Sequence, residues 1–214
     1  MPPASLSGIK DAGKEAYARL PYRVIALLVP LLVFLLPLAL IAATLPWNSF
    51  LTLTGLMVAY MLPPAGKETV IPVGIVLGIP WITMALAIAL IDIATGLFMV
   101  LNFDLVYRLP WLGPFFVRLT DSTRDFLNDH RWLKGMWFFA VVLMVMVPVF
   151  GSGGVRGSLA GKLLGLGNPL TFAAVVAGAL IGCFGIALGS DAILVYLCAN
   201  GSLPDNVLEL ACGT

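Results

Sequence analysis

The chain has 214 residues, of which 60% are hydrophobic and 11% charged, and its formal net charge is +1. A soluble domain carries about 25% charged residues, so the composition excludes one and indicates an integral membrane protein. The small net charge also excludes a global field that would gather nucleic acid or an acidic partner.

Residues 1–23 are polar and hold Lys10, Asp11, Lys14, Glu15, Arg19 and Arg23. No cleavable signal peptide is evident, because the apolar segment that follows is too long for a signal h-region. Ile9 to Leu20 reads either as an amphipathic helix on the membrane surface or as a solvated tail. Val24 to Thr44 is the first full span, without a charge and with Pro30 and Pro37 inside it. A membrane helix needs about 20 apolar residues and tolerates proline where neighbours satisfy the freed carbonyls. Leu45 to Ser49 predicts a turn.

Phe50 to Leu62 is too short to span. A charged notch follows, Pro63-Pro64-Ala65-Gly66-Lys67-Glu68. Thr69 to Ile79 is again short and ends at Pro80. Trp81 to Leu101 is long enough to cross and carries one charge, Asp92. Asn102 to Lys134 then changes character. It holds Arg108, Arg118, Arg124, Arg131 and Lys134 with Asp104, Asp121, Asp125 and Asp129, interleaved with aromatic residues. This predicts one or two amphipathic interfacial helices. The single histidine, His130, belongs among these charges and faces water or head groups.

Met136 to Phe150 is short and ends at Gly151-Ser152-Gly153-Gly154-Val155-Arg156-Gly157. Ser158 to Leu166 is short too. Leu170 to Leu197 is the last span, and Gly178, Gly182, Gly185 and Gly189 on it would let helices approach closely. The tail beyond Ala199 holds Asp205 and Glu209 with no Lys or Arg. Cys183 reads as a packing residue. Cys198 and Cys212 flank the tail and would pair if it lies outside the cell, which spacing alone does not decide.

Two units share one order of elements: short apolar piece, charged break, short apolar piece, proline, long span. Gly74-Ile75-Val76-Leu77-Gly78-Ile79 matches Gly161-Lys162-Leu163-Leu164-Gly165-Leu166, with Pro80 and Pro169 following. Repeated halves with interrupted apolar segments indicate transporter-like architecture. If every interrupted segment crossed the membrane, the basic stretch 102–134 would lie outside while the basic N-terminus lies inside, against the positive-inside rule. If both breaks are instead tips of re-entrant loops, all nine basic residues outside the hairpins are cytoplasmic and the acidic tail is external.

The expected fold is all-α: an inverted repeat of two re-entrant helical hairpins, three full transmembrane helices and interfacial amphipathic helices. One membrane domain, 1–214, divides into a cytoplasmic segment (1–23), a first helix (24–44), repeat one (50–101), a cytoplasmic amphipathic segment (102–135), repeat two (136–197) and an external tail (198–214). The expected location is the plasma membrane.

At Pro64 to Pro80 and at Gly151 to Pro169 the chain resembles the small multidrug export protein family, which resembles the DedA (VTT-domain) superfamily. The shared features are an acidic residue ahead of a proline-containing apolar turn, Glu68 and Pro72, and a Gly-rich loop followed by Gly-xxx-Leu-Gly, Gly161 to Gly165. The DedA resemblance implies opposed re-entrant loops and movement of lipid-carrier phosphates or phospholipids. The export-family resemblance implies efflux of small toxic compounds. The chain departs from the DedA pattern in having one clear arginine, Arg156, in its second loop.

Charges at membrane depth are costly and therefore candidate functional groups. They are Lys67, Glu68, Arg156 and Asp92, with Lys162 further along the second unit. The hairpin tips are Pro63, Pro64 and Gly66 in the first unit and Gly151, Gly153, Gly154 and Gly157 in the second. Glu68 and Arg156 can pair if the tips meet, either as part of a substrate site or as a structural clamp. Helix N-termini expected at Thr69 and Ser158 would aim N–H groups at the same place, a natural anion site. Asp92 either exchanges protons or is hydrogen-bonded to Thr95 or the backbone.

This balance favours a membrane transporter or lipid translocase for an anionic, lipid-phosphate type of substrate, coupled to protons. The alternative is a proton-driven exporter of small cationic compounds. The expected partners are membrane lipids, the small substrate and protons, with no nucleic acid; oligomeric state stays open. An enzyme is disfavoured: Ser158 and Lys162 form the sole dyad-like pair, and no metal or cofactor is expected.

Overall fold

The computed structural model describes residues 20–62, 65–103, 133–147, 153–201 and 212. They form seven helices: α1 (Leu20–Thr44), α2 (Trp47–Met61), α3 (Lys67–Val76), α4 (Trp81–Leu101), α5 (Leu133–Met146), α6 (Gly153–Leu163) and α7 (Asn168–Ala199). There is no strand among the described residues. Val24–Thr44, Trp81–Leu101 and Asn168–Ala199 are long and apolar enough to cross a membrane. The protein is an all-α membrane protein. The surface helix expected at Ile9 to Leu20 (apart from Leu20 itself, where α1 starts), the amphipathic stretch between α4 and α5 with His130, and the tip residues Pro63, Pro64 and Gly151 lie outside the described residues.

Helix α4 is the centre of the molecule, and α7 is its main neighbour. The two run antiparallel: Gly96 near the end of α4 faces Val175 near the start of α7, while Trp81 at the start of α4 packs edge-on against Phe184. Helices α2 and α3 pack beside the first half of α4, and their core is Leu53, Met57, Tyr60, Val70, Ile71 and Ile75 against Met84, Ile88 and Ile91. Helix α6 packs beside the other half, and α5 packs on α6 and α7. Their core is Val141 and Val145 against Ala174, Val175 and Ala179 of α7.

Helix α1 lies outside this group. Ala26, Pro30, Phe34, Leu38 and Ile41 recur every three or four residues and so share one face. That face packs inward, and Asn102 Nδ2 donates to the Ala26 carbonyl at 3.0 Å. Leu28, Leu32, Leu36 and Leu40 are exposed on the other faces. An apolar helix exposed in this way suits lipid as its solvent.

The repeated six-residue stretch is a helix terminator used twice. Ile79 N–H bonds the Gly74 carbonyl and Gly78 N–H the Ile75 carbonyl; Leu166 bonds Gly161 and Gly165 bonds Lys162 in the same way. These are paired 6→1 and 5→2 bonds with glycine in the left-handed region, at φ 83° for Gly78 and 70° for Gly165. The apolar residue after each glycine, Ile79 or Leu166, is buried. Gly74 lies against Met84 and Gly161 against Thr171, each in the first turn of the next long helix. All four pairs share one constant offset in sequence. At that offset Pro80 corresponds to Gly167, not to Pro169.

Three helix starts differ from the sequence expectation. Helix α2 begins at Trp47, inside the expected turn, because Pro46 sits at φ −57° with its carbonyl free to accept the first helical bond from Phe50 N–H. Helix α6 begins at Gly153, not at Ser158, and α3 begins at Lys67, not at Thr69. Glycine is a poor helix former. Here packing decides: a Cβ at Gly154 would meet the Asp92 carbonyl, one at Gly157 the Val145 side chain, and one at Gly161 Thr171. At these three positions only bare backbone fits.

Candidate functional site

The ends of four helices meet at mid-height of α4 and α7. Helix α2 ends just past Tyr60, α3 starts at Lys67, α5 ends just past Val145 and α6 starts at Gly153. Between them stands Asp92, fully buried in the middle of α4. An isolated carboxylate there would be very costly. It is met from three sides.

Tyr60 Oη donates to Asp92 Oδ1 at 2.8 Å, and Gly154 N–H donates to the same oxygen at 3.1 Å. Gly153 N–H in turn donates to Tyr60 Oη at 3.3 Å. The first two amides of α6, which no helical carbonyl can accept, are thus used by Asp92 and Tyr60. The positive end of the helix dipole faces the carboxylate. The third partner is Lys67, whose Nζ lies 3.8 Å from Asp92 Oδ2 with both side chains almost fully buried. Lys67 Nζ also donates to the Val145 carbonyl. That carbonyl is in the last turn of α5, at the negative end of the helix dipole.

The centre is therefore an ion pair from the first unit, Lys67 and Asp92, whose two charges are each opposed by a helix end of the second unit. Small residues permit this approach. A Cβ on Gly182 of α7 would stand 3.3 Å from Lys67 Nζ, and one on Gly153 would stand 2.9 Å from Asp92 Oδ2. Cys183, also on α7, is buried within electrostatic reach of both charges.

The other candidate residues are distributed differently. Glu68 is half-buried and curls back over Gly66, where a Cβ would collide with its carboxylate. Its Oε2 is buried and has no hydrogen-bond partner among the described residues. Gly66 N–H is satisfied by Thr69 Oγ1 at 3.2 Å, so the first turn of α3 is capped by Thr69 and not by Glu68. Arg156 is half-buried on α6, one turn past Gly153, and has contacts of its own. The sequence reading allowed Glu68 to pair with Arg156 if the tips meet; the ion pair found at the centre joins Lys67 to Asp92. Thr95 Oγ1 bonds the Ile91 carbonyl at 2.7 Å, within its own helix.

Lys162 is at the far end of α6, about 13 Å along the axis from Gly153 at 1.5 Å per residue. Its Nζ bonds Asn168 Oδ1 and lies 5.5 Å from the Phe103 ring centroid. It is not brought to the centre. Ser158 Oγ donates to the Gly96 carbonyl at 3.1 Å, so Ser158 and Lys162 have other partners than each other. No group of metal-ligating side chains occurs among the described residues. At the other end of the molecule Cys198 and Cys212 form a disulfide.

Sequence reasoning missed two members of the centre. Tyr60 carries a signal in hindsight: it is the one polar-tipped side chain in the last turn before the Pro-Pro break. The Val145 carbonyl carries none, because every residue has one.

No curated protein and no solved structure matches this chain. A family profile described as "Putative small multi-drug export protein" matches residues 68–198. The match begins next to Lys67 and takes in Asp92, both glycine terminators and all of α6, which is well over half of the chain. The protein belongs to that small multi-drug export family.

Proposed function

We propose that the protein exports small cationic compounds in exchange for protons, through a centre made by Lys67, Asp92, Tyr60 and the start of α6. The observation that carries this reading is the buried Lys67–Asp92 ion pair at the meeting point of four helix ends. Ionisable groups held inside a membrane protein are expensive and characteristic of ion and proton pathways. Broken helices whose ends face charges at mid-membrane are typical of transporter binding sites.

The choice of substrate sign follows from which charges are already spent. The sequence favours an anion, counting two cations and two helix N-termini against one carboxylate. In the folded protein Lys67 is committed to Asp92 and Val145, and the α6 amides to Asp92 and Tyr60. Arg156 is engaged as well. Glu68 retains a buried oxygen without a hydrogen bond. Arg156 Nε is buried without a hydrogen bond among the described residues as well, but Arg156 has other contacts. Glu68 is the acidic group that would suit a cationic substrate, and export of small compounds agrees with the family's description. Nothing in this centre calls for a lipid phosphate.

In this reading α2–α3 and α5–α6 are re-entrant hairpins that enter from opposite faces, as an inverted repeat. The support is that both breaks lie at the level of Asp92 while the two hairpins pack beside opposite halves of α4. The Cys198–Cys212 disulfide favours an oxidising, external side for the end of α7. The positive-inside rule then agrees, since the basic stretch between α4 and α5 falls on the cytoplasmic side.

The test is uptake of ethidium by proteoliposomes with an imposed proton gradient. The protein should drive accumulation, collapse of the gradient should end it, and Asp92→Asn should reduce it at least 10-fold while the purified variant stays monodisperse. Absence of gradient-driven uptake, or full activity of folded Asp92→Asn, sinks the reading.

A further inference from the structure

We propose that the space filled by the Lys67 ammonium is itself the substrate's cation site: a monovalent organic cation takes the place of that ammonium, and Lys67 gives up one proton as it leaves. The inference rests on the exporter reading above and names how its centre couples substrate to proton.

The surroundings of Lys67 Nζ are those of a bound cation. Asp92 Oδ2 supplies the negative charge, and the Val145 carbonyl supplies an oxygen backed by the negative end of α5. Gly182 leaves the α7 side open to close approach. Lys67 occupies this place against the preference of its own helix. It stands in the first turn of α3, where the helix dipole disfavours a positive charge. The ammonium is thus a tethered occupant, held by oxygens of α4 and α5 and by nothing on α3.

The exchange balances. An organic cation enters, Lys67–NH3+ becomes Lys67–NH2, and the proton passes to water. The net charge of the centre is unchanged, so Asp92 is never left buried and uncompensated, which is the costly alternative. The reverse step returns the proton and expels the cation. One proton moves per monovalent cation, and the exchange is electroneutral.

The titratable groups facing Lys67 are Tyr60 from α2, Asp92 from α4 and Cys183 from α7, with Glu68 next to it on α3. Helix α5 contributes a carbonyl, and α6 contributes the Gly153 and Gly154 amides beside the carboxylate and carries Arg156 one turn on. Asp92 is tied down by Tyr60 and Gly154 whichever cation is present. Lys67 alone among these groups gives up a positive charge when it loses a proton while standing in the place an incoming cation would fill.

The test is chemical rescue of the full-length protein in detergent. Lys67→Ala removes the tethered cation and leaves Asp92. Its melting temperature should fall, and n-propylammonium chloride should restore at least half of the loss, whereas equal sodium chloride should not. Lys67→Ala combined with Asp92→Asn should show no such selectivity. Lack of selective rescue overturns the proposal. If Lys67→Ala yields no folded protein, calorimetric titration of the wild type with tetraphenylphosphonium decides, using buffers of different ionisation heat. Release of about one proton per bound cation is expected, and zero release or no binding overturns the exchange. Selective rescue without ethidium transport would keep the cation site and remove the exporter reading; transport without rescue would do the opposite.

Discussion

Tyr60 Oη stands between Asp92 Oδ1, to which it donates, and Gly153 N–H, from which it accepts. One hydroxyl therefore ties the end of α2 to the middle of α4 and to the start of α6. Tyr60→Phe keeps the ring in its buried place and removes both bonds. Leaving such groups unsatisfied costs about 1–3 kcal/mol each. Tyr60→Phe should lower unfolding stability in detergent by about that amount and slow transport, and an unchanged melting curve would show the bonds to be dispensable.

The Lys67–Asp92 pair should behave as a unit. Breaking one partner of a buried pair costs about 3–5 kcal/mol, whereas replacing both is far milder. Lys67→Met and Asp92→Asn should each destabilise strongly, and the double variant should recover part of the loss. Strict additivity in this cycle would mean that the two charges do not interact.

The glycines divide into those with a neighbour and those without. Gly154→Ala would push a methyl group into the Asp92 carbonyl and Thr95 Oγ1, and Gly157→Ala into Val145. Overpacking of this kind costs about 1–3 kcal/mol. Gly55→Ala and Gly185→Ala meet nothing within 4 Å and should be neutral or slightly stabilising. Thermal unfolding of the four variants should sort them into these two groups.

The two terminators should respond alike. Gly78 and Gly165 both hold positive φ, which costs a side-chain-bearing residue roughly 1–2 kcal/mol. Gly78→Ala and Gly165→Ala should lower stability by similar amounts. Loss at one site with none at the other would break the equivalence of the two units.

Orientation can be tested on the native cysteines. After mild reduction of intact cells, an impermeant maleimide should label Cys198 and Cys212, and Cys183 should stay unlabelled because it is buried. Labelling of the pair only after the cells are opened would place the tail inside.

Much of the fold was legible because it depends on local composition. The three long helices follow from long, mostly apolar runs of the length a membrane helix needs. The terminators at Gly78 and Gly165 follow from a glycine set where the left-handed conformation is needed. Asp92 and Lys67 declared themselves as charges in apolar surroundings.

What the sequence could not express was partnership. Lys67 has Glu68 beside it in the chain, yet it reaches across to Asp92 and to a carbonyl of α5. The glycine-rich stretch reads as a loop, yet from Gly153 onward it is helical, because its bare backbone is what fits against Asp92 and Val145. The anion preference rested on a count of charges, and a count does not register that in the folded protein Lys67 is engaged by Asp92 and the Val145 carbonyl. Composition and periodicity determine which segments enter the membrane and how each helix ends. Which charge meets which helix end is a long-range matter, and the tertiary structure decided it by bringing Lys67, Asp92 and Gly154 to one level, where each neutralises what the others could not bury alone.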